Sequence, residues 1–296
     1  MEGIKFLKDC VDYHLHVSPS AMTRYCDLVE MAKMAEEAGY RAIVHKDHHQ
    51  VSEPLASMLK KYLFADSPIQ IFGSMSLNNS VGGLSPAALK VALDYGVRVV
   101  WLPTASAKNH IEFMKQGVGG FPKMAAGRQI VEKPIVLIDE SGELIDDAKA
   151  CLDLLSDYPK VAIGTGHGTP EEVDAVVKYC AKLGILNRVF VDHPNIIIRA
   201  DMDYILKWAD MGAYIEFAAA TSCPPNNDVP IAEFVDMVRA VCPERVAMAS
   251  DLGGKANGNP VEAFARFLNQ LHEAGISEDD LYTMTAVNPA KMLSLD

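Results

Sequence analysis

Two histidines separated by a single residue, His14-Leu15-His16, end a short apolar run near the N-terminus. Residues i and i+2 of a β-strand point to the same face, so both imidazoles can approach one ion. Imidazole nitrogen suits zinc, nickel and iron, and zinc is the commonest of these in proteins. The spacing therefore predicts part of a metal site, with a chance H-x-H segment as the alternative.

Three more candidate ligands each close an apolar run further along the chain. His167 ends VAIGTGH, His193 ends VFVDH and Asp251 ends VAMASD. Taken singly, a histidine at a strand end is more often a hydrogen-bonded residue than a metal ligand, and the aspartate could equally cap the next helix. Together with His14 and His16 they place four histidines and one aspartate at the same end of the predicted barrel, and this joint occurrence predicts a divalent metal ion. Zinc is the first expectation, with manganese, nickel or iron as alternatives.

The elements that position these residues are eight apolar runs alternating with helical segments. The runs cover residues 11–17, 41–45, 69–77, 97–103, 161–164, 188–192, 213–218 and 245–250. Their continuous Val, Ile, Ala and Phe content is typical of parallel strands covered by helices. Eight βα units in 296 residues match the size of a (β/α)8 TIM barrel, whose active sites assemble at the carboxyl ends of the strands. We predict this α/β fold as one domain over residues 1–296. The alternative, a doubly wound open sheet, would need a glycine-rich turn after the first strand.

One interval, residues 105–160, is too long for a plain βα unit. It contains a helical segment at 106–115, a glycine-rich stretch at 117–120, a hairpin pattern at 134–139 and 143–145, and a helical segment at 146–156. We predict an insertion after strand 4 at the mouth of the barrel. Elsewhere the helix signals are regular: Thr169-Pro170-Glu171-Glu172 combines a capping threonine, a proline at the first helical position and a glutamate three residues after the cap.

The order of the candidate ligands along the strands resembles the amidohydrolase superfamily of metal-dependent hydrolases. In that superfamily H-x-H follows strand 1, histidines follow strands 5 and 6, and aspartate follows strand 8. The resemblance spans the chain from His14 to the Asn288-Pro-Ala-Lys segment, and the chain is similar to an uncharacterised cytosolic branch of these proteins. It implies that a metal-activated water attacks an amide, lactone or ester carbonyl, with Asp251 as the base. Lys46, His48 or His193 would help to stabilise the oxyanion.

The chain departs from the superfamily pattern after strand 4. Many relatives with two metals carry a carboxylated lysine or a glutamate there, whereas this sequence reads VVWLPTAS. Lys46 instead follows strand 2, where it is expected to face substrate or pair with a carboxylate. Glu216, after strand 7, could substitute as a ligand or proton carrier. The number of metal ions, one or two, is therefore left open.

Further polar residues follow the predicted strands and are candidates for substrate contact. A solvated loop is the alternative for the run Lys46-Asp47-His48-His49. The candidates are His48, His49, Asn78, Thr104 and Glu216.

The composition narrows the classes of partner. With 39 acidic and 27 basic residues the formal net charge is −12, which disfavours binding to nucleic acid or to an anionic membrane surface. The N-terminus lacks an apolar signal segment, and the six scattered cysteines suit a reducing cytosol. We expect a cytoplasmic enzyme with a small-molecule substrate. Both a monomer and a homo-oligomer are compatible with the sequence. The alternatives are a phosphoester hydrolase or metal-dependent decarboxylase on the same barrel, and a metal-binding protein without activity, whose coordination site would be closed.

Overall fold

A computed structural model describes residues 3–116 and 132–295 of the chain. The glycine-rich stretch predicted at 117–120 lies outside the described residues. In the part that is described, no helix has the length and apolar character needed to cross a membrane.

Eight parallel strands form one sheet in which each strand pairs with the next along the chain. They are β1 (Val11–Leu15), β2 (Ala42–His45), β3 (Gln70–Ser76), β4 (Val99–Trp101), β5 (Ala162–Gly164), β6 (Val189–Val191), β7 (Tyr214–Ala218) and β8 (Val246–Ala249). Backbone hydrogen bonds then close the sheet, because the Asp251 amide donates to the His14 carbonyl at 2.7 Å and the His16 amide donates to the Leu252 carbonyl at 2.8 Å. The predicted (β/α)8 barrel is confirmed, and each strand lies within the run that predicted it.

The strands are covered by helices, most of which the sequence also predicted. The helices are α1 (Leu28–Glu37), α2 (Glu53–Tyr62), α3 (Pro86–Tyr95), α4 (Lys108–Lys115), α5 (Asp146–Ser156), α6 (Pro170–Lys182), α7 (Met202–Met211), α8 (Ile231–Val241), α9 (Pro260–Glu273), α10 (Glu278–Tyr282) and α11 (Asn288–Met292). The predicted cap of α6 is present: the Thr169 hydroxyl accepts from the Glu172 amide, and the Glu172 carboxylate accepts from the Thr169 amide. This arrangement satisfies two amide groups that the first turn leaves unpaired.

The insertion after strand 4 carries α4 and α5 and lies between β4 and β5. The predicted hairpin is reduced to a single antiparallel bridge between Ile138 and Leu144. His110 lies in α4, within the helical segment predicted at 106–115, and is buried. The insertion therefore brings a buried imidazole to the barrel mouth.

Large side chains fill the barrel interior below the mouth. Tyr13 and Phe190 meet edge to face with ring centroids 5.0 Å apart, and Phe190 packs in the same way against Trp101 at 5.8 Å. Such a packed interior is expected of a TIM barrel and confines polar chemistry to the strand ends. The register between β1 and β2 shifts between Asp12 and Leu15, where His14 lies. Irregularities of this kind are frequent beside active sites, because they redirect a side chain.

Candidate metal centre

Three predicted ligands, located at the ends of the first and the last strand of the barrel, converge on a common point. The Oδ1 atom of Asp251 lies 3.0 Å from Nε2 of His14 and 3.0 Å from Nε2 of His16. The His14 side chain is fully buried, and that of Asp251 is 20% exposed. A set of two imidazole nitrogens and one carboxylate oxygen is a donor set that zinc accepts.

The other nitrogen of each imidazole is held by a second partner. Nδ1 of His14 lies 2.8 Å from Oε1 of Glu216, which is fully buried. Nδ1 of His16 lies 3.0 Å from the backbone carbonyl oxygen of Lys46. Because a carboxylate and a carbonyl only accept hydrogen bonds, both Nδ1 atoms carry the proton. Each Nε2 atom therefore faces Asp251, where a metal ion can take the place of a proton.

Close backbone contact between the segments after β8 and β1 fixes this geometry. Asp251 itself has a positive φ of 49°. A Cβ built on Gly253, whose φ is +123°, would lie 1.5 Å from the carbonyl oxygen of His16. Only glycine permits both the conformation and the close approach at this position. The sequence DLGG after β8 is therefore part of the site.

His193 and His167 line the same cavity beyond this group of three. Nε2 of His193 lies 3.8 Å from Oδ2 of Asp251, and the His167 and His193 rings are 5.0 Å apart. Nδ1 of His167 lies 2.8 Å from Nδ1 of His110, and the two rings stack. Within the described ranges, Nε2 of His167 and Nδ1 of His193 have no hydrogen-bond partner although both are buried. The structure brings both histidines to the site but not into the converging group, and direct coordination by them stays a prediction.

A second group of potential ligands lies beneath His14. His14, Asp192 and Glu216 have donor atoms within 4.8 Å of one another, and all three are buried. Burial, followed by the charge of Glu216, raises the pKa of Asp192 to about 7. Asp192 also accepts hydrogen bonds from Nε1 of Trp101 at 2.6 Å and from the Gly166 amide at 2.7 Å. Strand alternation turns Asp192 away from the His193 side chain, and the barrel places it against His14 instead.

Lys46, predicted to face substrate or to pair with a carboxylate, lines the cavity next to His14. Its Nζ atom is 2.8 Å from Nε2 of His14 and 4.5 Å from the centre of the Trp101 ring. Burial lowers the pKa of this amine, while the carboxylates of Asp192, Asp251 and Glu216 oppose that shift. Lys46 is therefore a buried base or cation directly beside the nitrogen that a metal would use.

The charges of the site favour an ionised Asp251. Burial acts to raise its pKa, but the neighbouring imidazoles of His14 and His16 bring that pKa well below its usual value. For His14, burial acts to lower the pKa, and Asp251 and Glu216 outweigh it, so the pKa of His14 rises to about 9. The pair thus behaves as a carboxylate facing a cation, and a metal ion can replace the proton as that cation.

The predicted substrate residues fall into two groups. The His48 ring stacks on His16 with centroids 5.0 Å apart and lines the cavity.

The Asn78 carboxamide is fully occupied, since it donates to the His48 carbonyl and the Thr104 hydroxyl and accepts from the amides of Thr104 and Ser106. Thr104 in turn holds Nδ1 of His48 at 3.0 Å. Asn78 and Thr104 therefore position His48 from behind. His49 is absent from the cavity lining, and Glu216 contacts His14 instead.

A cavity with an open mouth lies above the ligands. Part of its lining is apolar and comes from Phe113, Ile196, Ile197 and Ala220. The lining also contains Arg24, Asn226, Asp228 and Asn257, which were not among the site residues predicted from the sequence. They lie between the strands and α-helices, so no local signal identified them.

Comparison with known families gives one match, to a family described as "Family of unknown function (DUF6282)", over residues 9–216. No curated protein matches the chain. The matched range covers β1 to Glu216 on β7 and includes His14, His16, His167 and His193.

Solved structures match over nearly the whole chain. An amidohydrolase from Pseudomonas aeruginosa is 11% identical, with a TM-score of 0.62 and coverage of 99% of this chain and 98% of that one. A lactonase from Listeria monocytogenes is 13% identical, with a TM-score of 0.57 and coverages of 97% and 95%. The 2,6-dihydroxybenzoate decarboxylase from Rhizobium is 11% identical, with a TM-score of 0.54 and coverages of 98% and 99%. The resemblance to the amidohydrolase superfamily is confirmed in the fold.

Proposed function

The chain belongs to the DUF6282 family, and we propose that it is a metal-dependent hydrolase acting on an amide, lactone or ester carbonyl of a small molecule. The observation that carries this proposal is the pairing of the two strand-1 histidines. Each has its Nδ1 held by an acceptor and its Nε2 at 3.0 Å from the same oxygen of Asp251. Neither packing nor stability requires two buried imidazoles to be oriented in this way.

The residues present fit a divalent metal ion. His14, His16 and Asp251 offer three ligand atoms within 4.8 Å of one another, and the buried Nε2 of His167 lacks a partner in the described part of the chain. Nitrogen and carboxylate donors of this kind favour zinc. We propose that His14, His16 and Asp251 hold the ion, with His193 and His167 completing the site. Such an ion would polarise the carbonyl and acidify a water molecule.

Asp251 is proposed to move the proton. Its carboxylate lines the cavity and is ionised, so it can accept a proton from the attacking water. The water oxygen bonds to the carbonyl carbon, and the bond to the leaving oxygen or nitrogen breaks. Asp251 then returns the proton to that leaving atom, which restores the carboxylate for the next cycle.

Lys46, His193 and His48 are proposed to surround the carbonyl oxygen. All three line the cavity. His193 lies beside Asp251, and His48 stacks on His16. Donors held in a buried site are effective against the negative charge that develops on this oxygen, because little water competes with them. Glu216 lies below the ligands and fixes the orientation of His14.

Metal content and turnover test the proposal together. Metal per chain is measured by plasma mass spectrometry for the wild type, for His14→Ala combined with His16→Ala, and for His272→Ala. His272 is a control because it lies on α9 and bonds to the Ile276 carbonyl. We expect bound metal in the wild type and in the control, and loss of metal in the double variant.

The same proteins are assayed against a panel of lactones, esters and amides, with release of carbon dioxide followed in parallel. We expect hydrolysis that a chelator abolishes and that zinc restores. A wild type that stays metal-free after incubation with zinc or manganese would contradict the proposal. Metal-dependent release of carbon dioxide without hydrolysis would move the function to decarboxylation.

A further inference from the structure

Arg24 is a buried cation at the cavity that the mechanism above does not use. It lies in the segment between β1 and α1 and is 9% exposed. Its Nη2 atom is 3.3 Å from Nδ1 of His16, which places the guanidinium beside the metal ligands. It lines the same cavity as Lys46 and Asp251.

The backbone holds Arg24 in a fixed place relative to the proposed ligands. Arg24 forms an antiparallel bridge with Gly254, and the Tyr25 amide donates to the Gly253 carbonyl at 2.9 Å. Gly253 is the residue that packs against the carbonyl of His16. The segments that carry His16, Asp251 and Arg24 are therefore joined directly through their backbones.

The guanidinium has few acceptors among the described residues. Across residues 3–116 and 132–295, no ion pair with a carboxylate within 4.0 Å joins it, and its acceptors are the Ser20 hydroxyl at 3.4 Å from Nε and the Met22 sulfur at 3.5 Å from Nη2. The contact to His16 gives no acceptor either, since Nδ1 of His16 carries its proton toward the Lys46 carbonyl. Burying a guanidinium with weak partners is costly, and an anion in the cavity would offset that cost.

The shape and charge of the cavity favour a carboxylate over a phosphate. A guanidinium offers two parallel N–H groups that match the two oxygens of one carboxylate. A phosphate dianion needs more positive charge to balance it than Arg24 and Lys46 supply, and it would also lie near the carboxylate of Asp228 in the lining. The wall formed by Phe113, Ile196 and Ile197 suits an apolar body.

We propose that Arg24 binds a carboxylate of the substrate, so the enzyme acts on small carbonyl compounds that carry a free carboxylate on an apolar body. This inference rests on the proposed hydrolase function for the reaction, and on Arg24 alone for the choice of substrate. The carboxylate anchors the molecule at the mouth, and its carbonyl carbon is presented to the region of Asp251.

Binding of phenylacetate and of phenylacetamide tests the anchor without any reaction. These two probes share an apolar body and differ in charge. Affinities are measured by calorimetry on chelator-treated protein, in which the proposed metal-dependent hydrolysis of the amide probe cannot proceed, for the wild type, Arg24→Gln, Arg24→Lys and the control Arg266→Gln. Arg266 is exposed on α9 and its removal changes the net charge equally. Circular dichroism and metal content verify that each variant is folded.

We expect wild type and R266Q to bind phenylacetate about tenfold or more tightly than phenylacetamide, since a bidentate charged pair exceeds a neutral contact by at least that factor. In R24Q the ratio should fall to about one, and R24K, which keeps the charge but loses the paired N–H groups, should lie between them. Equal affinity of the wild type for both probes, or an unchanged ratio in R24Q, would overturn the inference.

Turnover separates the inference from the proposed function. The probes are 5-oxotetrahydrofuran-2-carboxylate and γ-valerolactone, which differ by a carboxylate in place of a methyl group. Hydrolysis with a carboxylate preference in kcat/KM that R24Q removes supports both statements. Hydrolysis with the same preference in R24Q overturns the role of Arg24 and leaves the hydrolase standing. Carboxylate binding that depends on Arg24, in a protein that hydrolyses neither probe and binds no metal, supports the anchor and contradicts the hydrolase.

Discussion

Replacing Glu216 with glutamine changes the support of a proposed metal ligand and leaves the ligand itself in place. Glu216 is fully buried, and its Oε1 atom lies 2.8 Å from Nδ1 of His14. The glutamine has the same shape but no charge. Its amide oxygen can still accept the His14 proton, so the imidazole keeps its orientation while its Nε2 atom becomes a weaker donor to a metal ion.

The size of the effect follows from that contact. A hydrogen bond to a charged group contributes about 1.5–3 kcal/mol, and a neutral one about 0.5–1.5 kcal/mol. The difference is about 1–1.5 kcal/mol, which corresponds to about a tenfold loss of metal affinity. Removing the whole side chain in Glu216→Ala should approach the upper end of the 10- to 100-fold range that is usual for such supporting partners, roughly a hundredfold.

Competition with a chromogenic zinc chelator measures the affinity for the wild type, E216Q and E216A. Glu53→Gln is the matched control, because Glu53 is also buried but accepts from the Gly73 amide and the Ser57 hydroxyl, away from the ligands. Thermal unfolding is recorded for each metal-free protein. Among the described residues the Oε2 atom of Glu216 has no hydrogen-bond partner, so the amide group of E216Q would be buried there without an acceptor and would lower stability. Equal zinc affinity in the wild type and E216A would refute the assignment of Glu216 as the partner that orients His14.

Three further perturbations have defined outcomes. Asn78→Ala should lower the free energy of unfolding by about 2–4 kcal/mol, because it removes four buried hydrogen bonds and leaves their partners unpaired; a loss below about 0.5 kcal/mol in urea unfolding would show that these bonds do not hold the loop. Chelation should lower the melting temperature, and zinc added back should raise it in proportion to the logarithm of the free zinc concentration once that exceeds Kd; an unchanged melting temperature would speak against metal bound to the native state. Burial raises the pKa of Cys180 to about 12 from an ordinary value of 9.0. Because the thiol ionises more easily in the unfolded chain, its contribution to stability is complete below pH 9 and is lost as the pH rises toward 12. The free energy of unfolding of Cys180→Ala should therefore fall less steeply over that pH range than that of the wild type. An identical pH slope in both proteins would contradict this.

The barrel could be predicted from the sequence because the signals for it are local. Each strand is a short apolar run, and helices such as α6 combine a 3.6-residue apolar period with a capping side chain, as at Thr169. The H-x-H spacing is local as well, and it placed His14 and His16 on one strand before any contact was known. The order of the runs then placed Asp251 beside them, since strands 8 and 1 are neighbours in a closed barrel.

The partners of those residues could not be predicted, because they come from distant parts of the chain. Glu216 is 202 residues from the His14 that it orients, and Arg24 meets the segment after β8 through a backbone bridge to Gly254. A sequence pattern shows which residue types follow a strand, but not which atoms face each other. For the same reason Asn78 was predicted as a substrate contact, whereas its carboxamide is occupied by the backbone around His48 and Thr104.

The sequence by itself determined the fold, the end of the barrel at which the chemistry lies, and the residue types of the metal centre. Hydrophobic periodicity and strand alternation depend on neighbours along the chain, and they are readable without coordinates. The tertiary structure alone decided which nitrogen of each strand-1 histidine faces Asp251, which cation at the cavity has no carboxylate partner among the described residues, and which apolar side chains line the cavity. Those properties depend on hydrogen bonds and burial between segments that only folding brings within a few ångströms of one another.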